Sequence, residues 1–273
     1  MSIYHDDYQS TAPLWRKVRD CIKGEDQIKR EREVYLPMLT SQRESGDMYA
    51  MESYANYVLR ASFYAAASRT QEGLVGAVMR RPANIEGIPD AQLQQLQDDA
   101  GPNYEGLEAM AMQQLGEIVS VGRYGLLVER GDDATLPPYL CVFKAEDIVY
   151  WKSTDYGGRN LPTTIAIRQT YEVPQEGDLI GTETETKEQF LILRLGRATD
   201  HAYAHQTEGG EALAAAPVDD LIYWQEYWRS VDSKGGGVRS GGLELHSVKV
   251  PTKNGGRYWG EIPMDIVNAS GGI

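Results

Sequence analysis

Leu115-Gly116-Glu117-Ile118-Val119-Ser120-Val121-Gly122-Arg123-Tyr124-Gly125-Leu126-Leu127-Val128-Glu129 is the stretch on which the fold turns. Up to Val121 the apolar residues recur at helical spacing. Leu107, Ala111, Leu115, Ile118 and Gly122 share a side, with Met110 and Val119 beside them. The spacing predicts a helix from about residue 104 to 121. Past Gly122 the period falls to two, and residues 125–129 read as a short strand. Helical patterns lie before this point and alternating ones after it. The expected fold is α+β, a mainly helical N-terminal region over 1–122 followed by a β-rich region over 123–273.

Upstream, Leu14, Val18, Cys21 and Ile22 form one apolar stripe. Thr11 is the expected cap, Pro13 falls in the first turn, and Gly24 ends the helix. The charged stretch 25–33 predicts a short exposed helix or turn, and Tyr35-Leu36-Pro37 breaks the pattern. A single long helix is expected over about 47–80, bent or interrupted at Gly73 or Gly76 and stopped by Pro82. Tyr54, Tyr57, Val58, Ala61, Ala65 and Ser68 lie on one side of it. A short Gln- and Leu-rich segment starts at Ile88-Pro89-Asp90. Downstream, strands are expected over 139–143, 147–151, 163–172, 188–195, 221–229 and 243–250. Glycine clusters at 209–210, 235–237 and 241–242 read as loops or hairpin tips.

The 273 residues suffice for one large domain or two smaller ones without a disulfide or metal staple. Lys+Arg total 27 against 40 Asp+Glu, a net charge of -13, which argues against a basic nucleic-acid reader. The acidity is uneven. Residues 1–81 carry net +1 and residues 82–273 carry net -14, so two surfaces of different character are expected. No apolar run is long enough to span a membrane, and the first residues have neither the basic nor the apolar region of a secretory signal. Cys21 and Cys141 fall in different elements, which fits free thiols in a reducing cytoplasm.

Chemical motifs are sparse. His201 and His205, with Asp200 adjacent, lack a third ligand, and two exposed histidines on a strand is the favoured reading over a metal site. Gly235-Gly236-Gly237 and Gly73-Leu74-Val75-Gly76 lack the ending of a phosphate loop. The pairs Asp98-Asp99, Asp132-Asp133 and Asp219-Asp220 read as solvated turns. Arg80-Arg81 suits a helix C-terminus, where cations meet the dipole's negative pole. Neither cysteine has a basic or His partner in sequence. No catalytic, cofactor or metal residue is assigned. Tyr223, Trp224, Tyr227 and Trp228 place rings on both faces of one strand, which predicts cover on both sides.

Several stretches, taken in order, carry a resemblance. They are Leu14-Trp15-Arg16-Lys17-Val18-Arg19-Asp20-Cys21-Ile22-Lys23-Gly24-Glu25, then Tyr35-Leu36-Pro37, then Tyr54-x-x-Tyr57-x-x-x-Arg60-Ala61-x-Phe63-Tyr64. Arg69-Thr70-x-x-Gly73-Leu74-Val75-Gly76 follows, ending in Arg80-Arg81-Pro82. Gly122-Arg123-Tyr124-Gly125-Leu126-Leu127-Val128-Glu129, Tyr139 and Ala145-Glu146-Asp147-Ile148-Val149-Tyr150-Trp151 complete the set. Over about residues 12–151 the sequence resembles the N-terminal part of portal proteins of tailed bacteriophages. The resemblance implies a portal-like wing in a non-enzymatic ring subunit, a homo-oligomer expected to be a dodecamer. That ring sits at the capsid vertex of the virion and is assembled in the bacterial host cytoplasm.

The partners implied by the resemblance are further copies of the chain, the major capsid protein, the terminase and a head–tail adaptor. Double-stranded DNA would pass during packaging and ejection without tight binding, and no membrane is involved. Portal chains of this kind continue into stem and clip helices. None is evident before Ile273, so a fragment, a split gene, a truncated product or a divergent relative stay open. A different virion component, such as a head–tail connector or internal capsid protein, is the second reading. A soluble enzyme with an unrecognised site is the third. A ring needs one patch to meet a different patch on the next copy. Tyr54, Tyr57 and Tyr64 on the helical region and Trp224 and Trp228 on the aromatic strand are the candidate contacts, with packing inside the chain as the favoured single explanation for both groups.

Overall fold

The structure is a computed structural model that describes residues 3–81, 83–131, 137–174, 184–197, 221–230, 242–253 and 257–268. The architecture is α+β, helices first and antiparallel strands after. The chain divides into two compact units. One is Ser10–Arg123 with the residues after Val267; the other is Tyr124–Val267 with the residues up to Gln9.

The helical unit holds most of α1 (Asp6–Lys23), then α2 (Glu25–Arg30), a 3-10 turn at Arg32–Val34, and α3 (Thr40–Ser45). After these come α4 (Met48–Arg60), α5 (Ala66–Val78), α6 (Asp90–Asp98) and α7 (Leu107–Val121). α1 begins before the expected cap at Thr11. The His5 Nδ1 accepts the Asp7 N–H at 3.2 Å, and Asp6 and Asp7 supply acidic charge to the first turn. Pro13 is therefore inside the helix, where it offers no N–H to the Gln9 carbonyl.

The long helix expected over 47–80 is two helices, and the break falls at 61–65 rather than at a glycine. Nothing in Ala61-Ser62-Phe63-Tyr64-Ala65 forbids a helix. Instead the Phe63 N–H is taken by Glu25 Oε2 at 3.1 Å, so a contact distant in sequence overrides local propensity. Gly73 and Gly76 both lie within α5. α7 ends at Gly122, whose φ of 74° is the left-handed cap that lets the chain leave the helix as a strand.

The strand-bearing unit has two sheets. β1 (Arg123–Glu129), β2 (Tyr139–Lys144) and β8 (Met264–Asn268) form the first, in the order β2-β1-β8. The second runs β3-β4-β5-β6-β7, every neighbouring pair antiparallel. Its strands are β3 (Ile148–Tyr156), β4 (Arg159–Pro174), β5 (Thr184–Arg197), β6 (Leu221–Ser230) and β7 (Leu243–Lys249). Alternation puts Ile165, Ile167, Leu191, Leu193, Leu195 and Tyr223 on one face of the larger sheet. There they share a core with Leu127 of β1 and Met264 of β8, so the two sheets pack face to face. On the opposite face Ile222 and Trp224 are covered by Val248, Val250 and Tyr258. The expectation from the aromatic residues of β6 is met in its first half, where Tyr223 and Trp224 are buried on opposite faces. Among the described residues no helix is long and apolar enough to cross a membrane.

Candidate functional site

Helices α4 and α5 separate the aromatic residues that the sequence places on one face. Tyr54 is only 2% exposed, and its hydroxyl donates to the Leu36 carbonyl at 2.9 Å. It is a core residue of the helical unit and is removed from the candidate surface. Tyr57 lies beside it, ring centroids 6.3 Å apart, but reaches solvent. Tyr64 sits in the break between the helices and is 71% exposed. The Arg69 guanidinium lies 5.0 Å from its ring centroid and donates to its hydroxyl at 3.2 Å.

These two tyrosines belong to a larger set. Fifteen large apolar side chains are exposed among the described residues, and fourteen of them fall between Leu14 and Met112. They concentrate on α4, α5 and their flanks: Met48, Tyr49, Met51 and Leu59, then Leu74 and Val78. Single exposed apolar residues are ordinary; fourteen on one unit depart from that pattern.

Polar contacts brace the helical unit from within. Arg19 of α1 forms a two-pronged pair with the buried Glu117 of α7. Asp20, also buried, accepts from the Tyr35 hydroxyl at 2.8 Å and from Gln27 Nε2 at 3.0 Å. Burial, and then the Asp20 hydrogen bond, push the Tyr35 hydroxyl up to about 12.

On β6, Trp224 and Trp228 belong to a local assembly that the sequence reading missed. Among the described residues, the buried Glu226 carboxylate accepts from Trp224 Nε1 at 2.9 Å, Trp228 Nε1 at 2.9 Å and Arg194 Nε at 2.8 Å. Burial alone would raise this carboxyl. The two indole N–H groups and the Arg194 charge outweigh it and hold Glu226 below the ordinary carboxylate value. The available signal was a glutamate two residues from each of two tryptophans, a spacing that puts all three on one face of a strand. Trp224, 4% exposed, is thus a core residue and not a contact candidate; Trp228 is half-buried.

The other face of β6 carries neutral polar groups. Gln225 Nε2 donates to the Tyr223 hydroxyl at 2.7 Å and to Glu129 Oε1 at 3.3 Å. The Cys141 thiol lies 3.8 Å from Glu129 Oε2; burial and that neighbouring charge push it up to about 12, which leaves it unactivated at neutral pH. No group of three His, Cys, Asp or Glu among the described residues is placed to hold a metal ion. Asp200, His201, His205, Asp132-Asp133, Asp219-Asp220 and the glycines at 209–210, 235–237 and 241 lie outside the described residues. No protein-family model and no curated protein matches this chain.

Proposed function

We propose that the chain is a structural subunit of a phage portal ring, contributing a wing-like helical and strand-bearing region to a closed homo-oligomer at the capsid vertex. The ordered set of motifs between Leu14 and Trp151 motivates the reading. The observation that carries it is the concentration of exposed apolar side chains on the helical unit, fourteen of the fifteen in the described residues. A surface of that kind is covered by another protein surface, and in a ring the cover is the next copy.

The charge distribution supports the same role. A net charge of -13 repels phosphate, so a duplex passing the ring would release few counterions and would slide rather than stick. Native mass spectrometry and negative-stain images of the purified chain test the proposal. The expected result is a closed ring of a single stoichiometry with no strong, salt-sensitive affinity for short duplexes. A chain that stays monomeric at every concentration, or that binds duplex tightly at moderate salt, would overturn it.

A further inference from the structure

The ring reading leaves open which surfaces meet, and the faces of α5 address that. Gln71, Val75 and Met79 succeed one another at i, i+4 and i+8 on the side of α5 that faces α7. With Met112 and Gly116 of α7 they line an open groove of ≈ 1030 Å³. Gln71 Nε2 donates to the Gly116 carbonyl at 3.1 Å and fixes the spacing of the two helices. Two packed helices with an open apolar seam between them form a seat for a third. Glu72, Glu108 and the Arg19-paired Glu117 are among its lining residues, and no Lys or Arg is.

A second face of α5, turned about 80° round the axis at 3.6 residues per turn, carries the complementary features. Leu74 and Val78 are 50% and 61% exposed there. The small residues Gly73 and Ala77 beside them allow close approach, and exposed Arg80 and Arg81 follow at the helix end. The seat is acidic and methionine-lined; the projecting face is aliphatic with one basic end. Such a pair of unlike patches on one chain suits a head-to-tail joint, the kind that repeats from copy to copy.

We propose that the Leu74–Val78 face of one copy seats in the α5–α7 groove of the next, an inference that rests on the ring reading and specifies its contact. The occupant is a second copy of this chain. Two surface variants of the full chain test it: Leu74→Asp with Val78→Asp spoils the projecting face, and Met112→Asp spoils the seat. Each alone is expected to raise the concentration for half-assembly on the order of 30-fold or more, the size of a lost contact anchor. Each should sediment as a monomer at concentrations where the parent chain forms rings. An equal mixture has one sound face and one sound seat, so it should give a 1:1 heterodimer and nothing larger.

Either variant assembling like the parent, or a mixture that stays monomeric, overturns this contact while leaving the ring intact as a reading. A parent chain that never assembles overturns both. Circular dichroism checks folding. Should a variant misfold, oxidation of mixed Leu74→Cys and Met112→Cys copies replaces the test. A disulfide-linked dimer joining the two copies supports the joint, and its absence from assembled rings overturns it.

Discussion

Glu226→Gln tests whether the β6 assembly holds the strand-bearing unit together. The wild-type carboxylate accepts bonds of 2.8, 2.9 and 2.9 Å from Arg194, Trp224 and Trp228. Glutamine keeps one oxygen and turns the other into a donor. With the amide oxygen toward Trp228, the new NH2 faces Trp224 and Arg194; with the oxygen reversed, it faces Trp228. One indole N–H, that of the buried Trp224 or of the half-buried Trp228, loses this acceptor in either orientation, at about 1–3 kcal/mol. The charge-assisted bond to Arg194 weakens as well. The Arg194 side chain is 37% accessible, so water and salt screen that loss to about 1 kcal/mol. The expected total is about 2–4 kcal/mol. Urea unfolding followed by tryptophan fluorescence reads it, since Trp224 and Trp228 are themselves reporters. Glu244→Gln on exposed β7 is the control, expected to cost almost nothing. A Glu226→Gln cost indistinguishable from that control, or below about 1 kcal/mol, would refute the reasoning.

The same residue gives a pH dependence with a definite sign. Glu226 is held below its ordinary value of 4.5, so its contribution is complete above that pH and is lost as pH falls through the lower folded value; acid titration of stability should flatten in Glu226→Gln. Gly106→Ala should be severely destabilising, because a Cβ there would meet the Gln97 backbone carbonyl, whereas Gly73→Ala, with nothing within 4 Å, should stabilise α5 by about 0.5–1 kcal/mol; chemical unfolding of the two variants compares them. Cys141, with its thiol pushed up to about 12, should resist a thiol reagent at pH 8 in the native protein and react once urea unfolds it, as mass spectrometry of the labelled peptide would show. Amide exchange should be faster in α4 and α5 than in β4 and β5 of unassembled chain and should slow in α4 and α5 on assembly; equal protection in the monomer would count against an uncovered helical surface.

Local pattern was a good guide where local forces decide. β4 was legible because alternation is a direct image of a sheet with two unlike faces, as in Ile165 and Ile167 against Thr164 and Arg168, whereas β3 runs on to Tyr156, past the expected end at 151. β8 was not, since Met264-Asp265-Ile266-Val267-Asn268 is too short to show a period, and pairing beside β1 is a tertiary event. The break between α4 and α5 was placed at the wrong residues because its cause is Glu25, 38 positions from Phe63. The start of α1 was misplaced because Pro13 reads as a first-turn residue, while His5 supplies an acceptor earlier in the chain. Of the candidate contacts, Tyr54 and Trp224 are buried and Tyr57 and Tyr64 reach solvent. Periodicity assigns a side of a helix or strand but not what covers that side.

What covers the helices is the question on which function depends. Twenty-four apolar residues are buried among the described residues, and only six lie in the helical unit: Trp15, Ile28, Ala50, Tyr54, Ala100 and Met110. The helical unit nevertheless has as long a chain as a small independent domain, Ser10–Arg123. A unit of that length normally buries far more of its apolar surface. Its internal ion pair between Arg19 and Glu117 orients α1 and α7 but adds little net stability, because removing two charges from water offsets much of their attraction. The missing hydrophobic stabilisation has a visible counterpart in the apolar side chains left outside on α4 and α5, including Leu59, Leu74 and Val78. Burying a Leu or Val side chain contributes about 1.5–3 kcal/mol. A handful of them covered by a neighbouring copy would supply what the isolated unit lacks. In the proposed ring, folding of the helices and assembly would be linked through one surface, and an Asp placed at Val78 should weaken both.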